Sequence, residues 1–321
     1  SDEKVFPIYG DRAKRSLEKA GFIVESMILP PGEGTKTFDS AMKIYDWLVG
    51  RRAERGHAII ALGGGVIGDL AGFVAATYLR GLPFVQVPTS LVGMVDAAIG
   101  GKVAVDHPEG KNLIGAFYQP RLVLADVQAL TSLPGRELTS GWAEVIKHGL
   151  ILDRELFQFL EARQGRLMAL EEETTTEAVR WSAGLKGEIV GEDERETGRR
   201  TILNYGHTIA HAIEAATGYE RFLHGEAVAV GMMGAAMISR GLGLVPPEVV
   251  ERQRALLEGF GLPTNCPGVD QKGVLRAMEL DKKVRERTVR WVLIKGVGEA
   301  VIRDDVPREI VVDVIEKLSK D

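Results

Sequence analysis

His57-Ala-Ile-Ile-Ala-Leu-Gly-Gly-Gly-Val-Ile-Gly68 decides how the first part of this chain is built. A short apolar run stops at three glycines, and residues 70–78 beyond them read as a helix. The next strand is Pro83-Phe-Val-Gln-Val-Pro88, and Arg121-Leu-Val-Leu-Ala-Asp126 is another. Such alternation argues for a mostly parallel sheet covered by helices. Gly63 to Gly68 satisfies G-x-G-x-x-G between a strand and a helix. Glycine there lets the backbone approach a pyrophosphate, and the helix N-terminus favours negative charge. A plain tight turn explains the same residues equally well. The stretch also departs from the Rossmann pattern. No acidic residue ends a second strand some twenty positions on, and Asp69 directly follows the last glycine.

After about residue 135 the pattern changes. Residues 141–152, 156–170, 177–190, 207–216, 226–239 and 247–260 read as helices, with apolar residues recurring at three and four. Thr131-Ser-Leu-Pro-Gly135 is the expected junction. One late strand, residues 288–293, precedes a closing helix near residues 307–318. The expected architecture is α/β: a Rossmann-like parallel-sheet domain over residues 1–134, then a mostly α-helical domain over residues 135–321.

Bulk properties narrow the function. At 321 residues the chain can hold two domains of ordinary size. A net charge of −5 gives no general nucleic-acid footprint, so an anionic ligand must meet local cations. The single cysteine, Cys266, allows no intrachain disulfide and no Cys-rich zinc site, as in a reducing cytosol. The longest apolar run, residues 227–238, is too short to span a bilayer, and the start is no signal peptide. A cytoplasmic protein is expected.

Several constellations could carry chemistry. Leu29-Pro-Pro-Gly-Glu-Gly-Thr-Lys36 reads as a turn between strand and helix, with Glu33 and Lys36 at its tip. Pro88-Thr-Ser90 ends a strand, where α/β sheets place ligands. Arg80, Lys102 and the pair Lys111-Asn112 lie in glycine-rich surroundings, read as strand-to-helix loops. Together they point toward phosphate or carboxylate binding; singly, each is an ordinary solvated residue. On a helix, Glu144, Lys147 and His148 share a face at i, i+3 and i+4, among mostly apolar flanks. Both a buried, functional carboxylate–lysine pair and a surface ion pair fit that pattern. His207 and His211 are one helical turn apart, and His224 follows thirteen residues later. Thr208 occupies the position where H-E-x-x-H needs its glutamate, so a zinc-protease reading fails. Two imidazoles and a carboxylate still suit a divalent ion with open positions.

Seven segments then occur in order: Gly-Gly-Gly-Val-Ile-Gly-Asp, Gly-Gly-Lys, Lys-Asn-Leu-Ile-Gly, Ala-Glu-Val-Ile-Lys, Asp-Glu-Arg-Glu-x-Gly-x-Arg, Leu-Asn-Tyr-Gly-His-Thr-x-x-His-Ala-Ile-Glu and His-Gly-Glu-Ala-Val-Ala-x-Gly-Met. In these the chain resembles the 3-dehydroquinate synthases of the shikimate pathway, from about residue 2 to 315. The resemblance implies conversion of 3-deoxy-arabino-heptulosonate 7-phosphate to 3-dehydroquinate and phosphate. It implies NAD, reduced and reoxidised within one turnover, and a divalent metal, zinc or cobalt. The implied steps are oxidation, phosphate elimination, reduction, ring opening and aldol closure.

Carried over by position, the resemblance gives Glu144, His207 and His224 as metal ligands. It gives His211, Lys147, Glu196, Arg200 and Asn204 as catalytic residues. Arg80, Asp96, Lys102, Lys111, Asn112, Lys186 and Lys282 (or Lys283) would hold substrate. NAD would be met by Asp2, Glu33, Lys36, Gly64, Gly65, Val66, Asp69, Thr89, Ser90, Lys102, Lys111, Ala129, Leu130, Thr131 and Ser132. An opening strand and its neighbour would precede Asp2 in the family; a sheet without them should hold NAD less tightly. Tyr205 replaces a common phenylalanine, and Arg287 stands where a turn is often glycine. A homodimer, and domains closing around substrate, are further expectations. The rivals are sister cyclases acting on sedoheptulose 7-phosphate or glucose 6-phosphate, metal-dependent alcohol or glycerol-phosphate dehydrogenases, and a ligand-binding relative without chemistry. Lys186, Arg200 and Lys282 favour the acid substrate among the cyclases.

Overall fold

The computed structural model describes residues 1–284 and 289–320, with the side chains of residues 280–284 outside the description. Lys282, Lys283 and Arg287 therefore lie outside what is described for side chains. The chain divides into two compact units, Ser1–Leu133 and Pro134–Asp321.

In the first unit, helix α1 is Asp11–Lys19 and α2 is Phe38–Gly50. Thr37 starts α2, its hydroxyl accepting from the Ser40 amide at 3.2 Å. Strand β1 (Ile59–Gly63) runs through the glycines into α3 (Gly65–Thr77) and on to β2 (Phe84–Pro88). β1 and β2 are parallel, pairing Ile59 with Phe84 through Gly63 with Pro88. The connection is thus a helical crossover between neighbouring parallel strands. β3 (Lys102–His107) and β4 (Gly110–Phe117) follow as an antiparallel hairpin. Short β5 (Leu122–Val123) completes a three-stranded parallel sheet in the order β1-β2-β5.

The core forms where α3 is buried on the sheet. Leu70, Phe73 and Val74 meet Ala41, Ile44 and Leu48 of α2, Phe84 of β2, and Val103 and Val105 of β3. Each large side chain so buried contributes about 1.5–3 kcal/mol. Two glycines permit the closeness. A Cβ on Gly68 would lie 2.4 Å from Gln86 Oε1, and one on Gly72 2.3 Å from Val103 Cγ1.

Two expectations need correction here. Lys102, Lys111 and Asn112 lie on the β3–β4 hairpin, not in strand-to-helix loops. Alternation carries that hairpin: Val103 and Val105 are buried while Lys102 is exposed. Nor is there a regular strand before Leu29; only a single parallel bridge joins Leu29 to Asp2. Backbone bonds from residues 1–3 reach Met27 and Leu29, while Ile23, farther back, is 97% exposed.

In the second unit, α4 (Gly135–Ile151), α5 (Arg154–Met168) and α6 (Glu172–Glu192) come first. α7 (His207–Ala216), α8 (His224–Gly241), α9 (Pro247–Gly259) and α10 (Gln271–Val284) follow. The hairpin β6 (Trp291–Gly296) and β7 (Glu299–Arg303) precedes α11 (Arg308–Leu318). Sequence reading missed α10 and β7.

α4 is buried continuously from Ser140 to Ile151, so its charged groups are internal. α8 is buried from Ala227 to Ala236 and runs against α4, α7, α9 and α11. Its glycines set those approaches. A Cβ on Gly225 would lie 1.9 Å from the Ser140 carbonyl oxygen, and one on Gly231 2.1 Å from that of Gly206. The buried Tyr205 hydroxyl donates to Gln253 Oε1 at 2.8 Å, also within the core. The buried phenol therefore has a partner.

Candidate metal centre and nucleotide site

In the second unit, three helices converge on one carboxylate. Glu144 lies in the middle of α4 and is fully buried. His207 and His224 are the first residues of α7 and α8. His224 Nε2 lies 3.7 Å and His207 Nε2 3.9 Å from Glu144 Oε1. Tetrahedral coordination with bonds near 2.1 Å separates ligand atoms by about 3.4 Å. Both imidazole-to-carboxylate distances are thus within about 0.5 Å of that value, and the three ligand atoms all lie within 4.8 Å of one another.

Hydrogen bonds orient both rings. His207 Nδ1 is 3.2 Å from the Tyr205 carbonyl oxygen, an acceptor, so the ring nitrogen must donate. His224 Nδ1 is 3.2 Å from Glu214 Oε1, again an acceptor. With protons fixed at Nδ1, both Nε2 lone pairs face Glu144. Burial pushes the His207 imidazole well below its ordinary pKa, and the Lys147 ammonium adds to the shift. His207 is therefore neutral near pH 7, the form that binds a metal.

Lys147, one turn beyond Glu144 and also buried, lies against Glu144 Oε2. Yet both carboxylate oxygens are buried and accept no aligned hydrogen bond. Lys147 offsets the buried charge at Oε2, and Oε1 is the oxygen that the two imidazole nitrogens approach. The donor set of one carboxylate and two imidazoles fits a divalent ion such as zinc. His148 is anchored from α6: its Nδ1 is 2.7 Å from Ser182 Oγ, in a buried contact.

His211 is one turn beyond His207 and exposed, its ring 5.5 Å from that of His207 and 6.5 Å from that of His224. Glu196, Arg200 and Asn204 gather between α6 and α7. Asn204 Nδ2 donates to Glu196 Oε1, and the buried Arg200 guanidinium to the Glu194 carbonyl. Asp193, which sequence reading passed over, organises that turn. Its carboxylate accepts from the amides of Thr197, Gly198 and Arg200 at 2.8–3.0 Å. These bonds lower its pKa. The Asp-x-x-x-Thr-Gly spacing is the signal that would have found it. Lys186 is buried on α6.

In the first unit, the segments expected to meet NAD centre on the glycine turn. Gly64 precedes α3, and Gly65 and Val66 form its first turn. The Thr89 amide donates to the Gly63 carbonyl at 2.9 Å, joining the ends of β1 and β2. The Ser90 hydroxyl accepts from the Gly93 amide at 3.2 Å, at the turn that carries Asp96. Lys36 is buried and lies 2.8 Å from Glu33, 3.4 Å from Asp69 and 3.8 Å from Asp106. One ammonium cannot neutralise three carboxylates. Lys36 is raised and Glu33 lowered, as charged partners should be, but burial pushes Asp69 up to about 7. Asp69 is accordingly the group that keeps a proton. Lys111 reaches Glu33 at 4.0 Å, and the Asn112 amide donates to Asp106 at 2.8 Å. The Lys36 cluster thus ties the 30–37 turn, the start of α3 and the β3–β4 hairpin together.

The remaining residues are spread along the unit. Asp2 accepts from the backbone amides of Lys4 and Val5 at 2.8 and 3.0 Å, capping its own turn. Ala129, Leu130, Thr131 and Ser132 form a 3-10 turn, held by the Tyr9 hydroxyl on Ser132 at 2.8 Å. Arg80 is exposed in a left-handed conformation, φ 69°.

Comparison with known proteins places the whole chain in a family. Family models match residues 26–140 as "3-dehydroquinate synthase N-terminal" and residues 141–284 as "3-dehydroquinate synthase C-terminal". A curated 3-dehydroquinate synthase of Nostoc punctiforme is 51% identical over 98% of this chain and 88% of its own length. Among solved structures, 2-epi-5-epi-valiolone synthase from Streptomyces hygroscopicus subsp. jinggangensis, with NAD+ and Zn2+ bound, superposes with a TM-score of 0.92. It is 28% identical, covering 99% of this chain and 89% of that one. A 2-deoxy-scyllo-inosose synthase complexed with carbaglucose-6-phosphate, NAD+ and Co2+ gives a TM-score of 0.84 at 28% identity, covering 98% and 89%. With near-complete coverage at half identity, and both halves matched by one family's models, the chain belongs to the 3-dehydroquinate synthase family.

Proposed function

We infer that this protein converts 3-deoxy-D-arabino-heptulosonate 7-phosphate to 3-dehydroquinate and phosphate, as a carbon–oxygen lyase using NAD and a divalent metal. The observation that carries the reading is the convergence of two imidazole nitrogens on one fully buried carboxylate oxygen. The ion would act as a Lewis acid toward substrate oxygens, and NAD would accept and return one hydride. Glu144, His207 and His224 would hold the ion. Lys147, fixed by Glu144, presents a cation to the carbon skeleton. His211 is exposed beside the ligands and suits proton transfer. Glu196 and Asn204 are mutually bonded, and Arg200 is anchored through Glu194, so substrate would meet pre-positioned groups. In the first unit, the glycine turn at the start of α3 suits the pyrophosphate of NAD.

The acid substrate is favoured over those of the sister cyclases by the relatives' names. Curated 3-dehydroquinate synthases reach 51% identity, while the sister cyclases stand at 28%. No helix among the described residues is long and apolar enough to cross a membrane. A cytoplasmic homodimer is the form expected from the family. The test is phosphate release from the heptulosonate with NAD and zinc, without accumulation of NADH. Net NADH would instead point to a dehydrogenase. Turnover of sedoheptulose 7-phosphate or glucose 6-phosphate alone would point to a sister cyclase.

A further inference from the structure

We propose that Glu214 is the positioning residue of the metal centre, holding the His224 ring so that Nε2 faces Glu144. The inference rests on reading Glu144, His207 and His224 as a divalent-cation site. The two histidines are secured differently. His207 is 14% exposed at the side chain, and its Nδ1 meets a backbone carbonyl only two residues away. His224 is 40% exposed at the side chain, so packing confines its ring far less. A half-exposed imidazole retains more than one rotamer unless a bond selects among them. Glu214 Oε1 supplies that bond, 3.2 Å from His224 Nδ1.

The placement follows from helix geometry. Glu214 lies seven residues after His207 and three after His211 on α7, so one stripe of the helix presents all three. α7 runs closely against α8, with Gly231 against Gly206, which brings that stripe to the start of α8. Glu214 is itself only 9% exposed. A carboxylate so enclosed is kept in a protein when it has partners to satisfy. Its contact with Nδ1 fixes the tautomer and makes Nε2 a better donor. His224 is therefore held at Nδ1 by Glu214, which leaves Nε2 turned toward Glu144.

The experiment measures zinc affinity of the full-length, metal-stripped protein against a chromogenic chelator. Glu214→Ala should weaken zinc binding about 10- to 100-fold. Glu214→Gln keeps an acceptor oxygen without the charge and should recover part of the loss. In a double-mutant cycle, Glu214→Ala should cost little further affinity once His224→Ala is present. A role in general packing would instead give additive losses, unrelieved by glutamine. Should Glu214→Ala fail to fold, Glu214→Gln alone and in the His224→Ala background decides. Unchanged zinc affinity in Glu214→Gln, and in Glu214→Ala if folded, would overturn the assignment while leaving the metal site standing. Failure of the unmutated protein to take up zinc would overturn the metal reading and this one with it.

Discussion

Gly225→Ala tests whether backbone contact between helices sets the position of His224. The added Cβ would lie 1.9 Å from the Ser140 carbonyl oxygen and 2.7 Å from the Ser140 carbonyl carbon. Backbone atoms cannot swing aside, so α8 must move off α4. Reaching even 3.0 Å from 1.9 Å requires a displacement of about 1.1 Å. His224 is the adjacent residue and moves with it. Metal–nitrogen bonds tolerate about ±0.2 Å, so the displacement exceeds the tolerance several-fold. We expect zinc affinity to fall by at least about 10-fold and turnover by about 100-fold. Overpacking should lower stability by about 1–3 kcal/mol, which is not enough to unfold a typical domain. The assay pairs chelator-competition titration with phosphate release, on protein shown folded by circular dichroism. Gly234→Ala is the control. On the same helix, its Cβ would meet the movable side-chain ends of Ile209 and Leu318, at 2.4 and 3.0 Å. It should leave zinc affinity nearly unchanged. Wild-type zinc affinity and turnover in Gly225→Ala would refute the reasoning.

Asp69→Asn should change how stability depends on pH. Between 3.8 and about 7 the folded chain keeps a proton at Asp69 that the unfolded chain has lost, so stability falls as pH rises through that window. Asparagine removes that fall, worth at most about 1.4 kcal/mol per pH unit, and urea midpoints at pH 4.5 and 7.5 would show it. Tyr205→Phe should destabilise by about 1–3 kcal/mol, read from urea melts, because buried Gln253 Oε1 loses its donor. Zinc added to the stripped protein should raise the melting temperature, with about 2.7 kcal/mol of stabilisation at a hundred times the dissociation constant. No shift with zinc would speak against the site.

The parts of the fold that were legible in the sequence are those with one strong local signal. β1, the glycines and α3 follow from an apolar run that stops at Gly63. α4 and α8 follow from long apolar stretches, and α7 was located residue for residue. The β3–β4 hairpin was hidden because its cations and glycines look like loop residues, and its fully buried residues, Val103 and Val105, are only two. α10 escaped because its main partner, α7, is remote in sequence; β7 escaped although it lies only two residues beyond β6, because Val297-Gly298 was not read as a hairpin turn. At the site, the grouping of Glu144, His207 and His224 was given by resemblance, and their distances only by the fold. The buried setting of Glu144 and Lys147 was left open by local pattern, since burial depends on neighbouring helices. Glu214 stood inside the quoted motif unnoticed, although its seven-residue spacing from His207 marks the same helical stripe.

The β3–β4 hairpin is a sheet in its own right, sharing no ladder with the parallel strands. It is fastened by Val103 and Val105 beneath and by the Lys36–Asp106 contact at one end. Three residues proposed to recognise anions, Lys102, Lys111 and Asn112, ride on this separable piece. Exchanging residues 102, 111 and 112 would thus change the charge this hairpin presents while Val103 and Val105 keep it seated on the core. The hairpin is a natural cassette for engineering, and a place where related enzymes can diverge without rebuilding the scaffold.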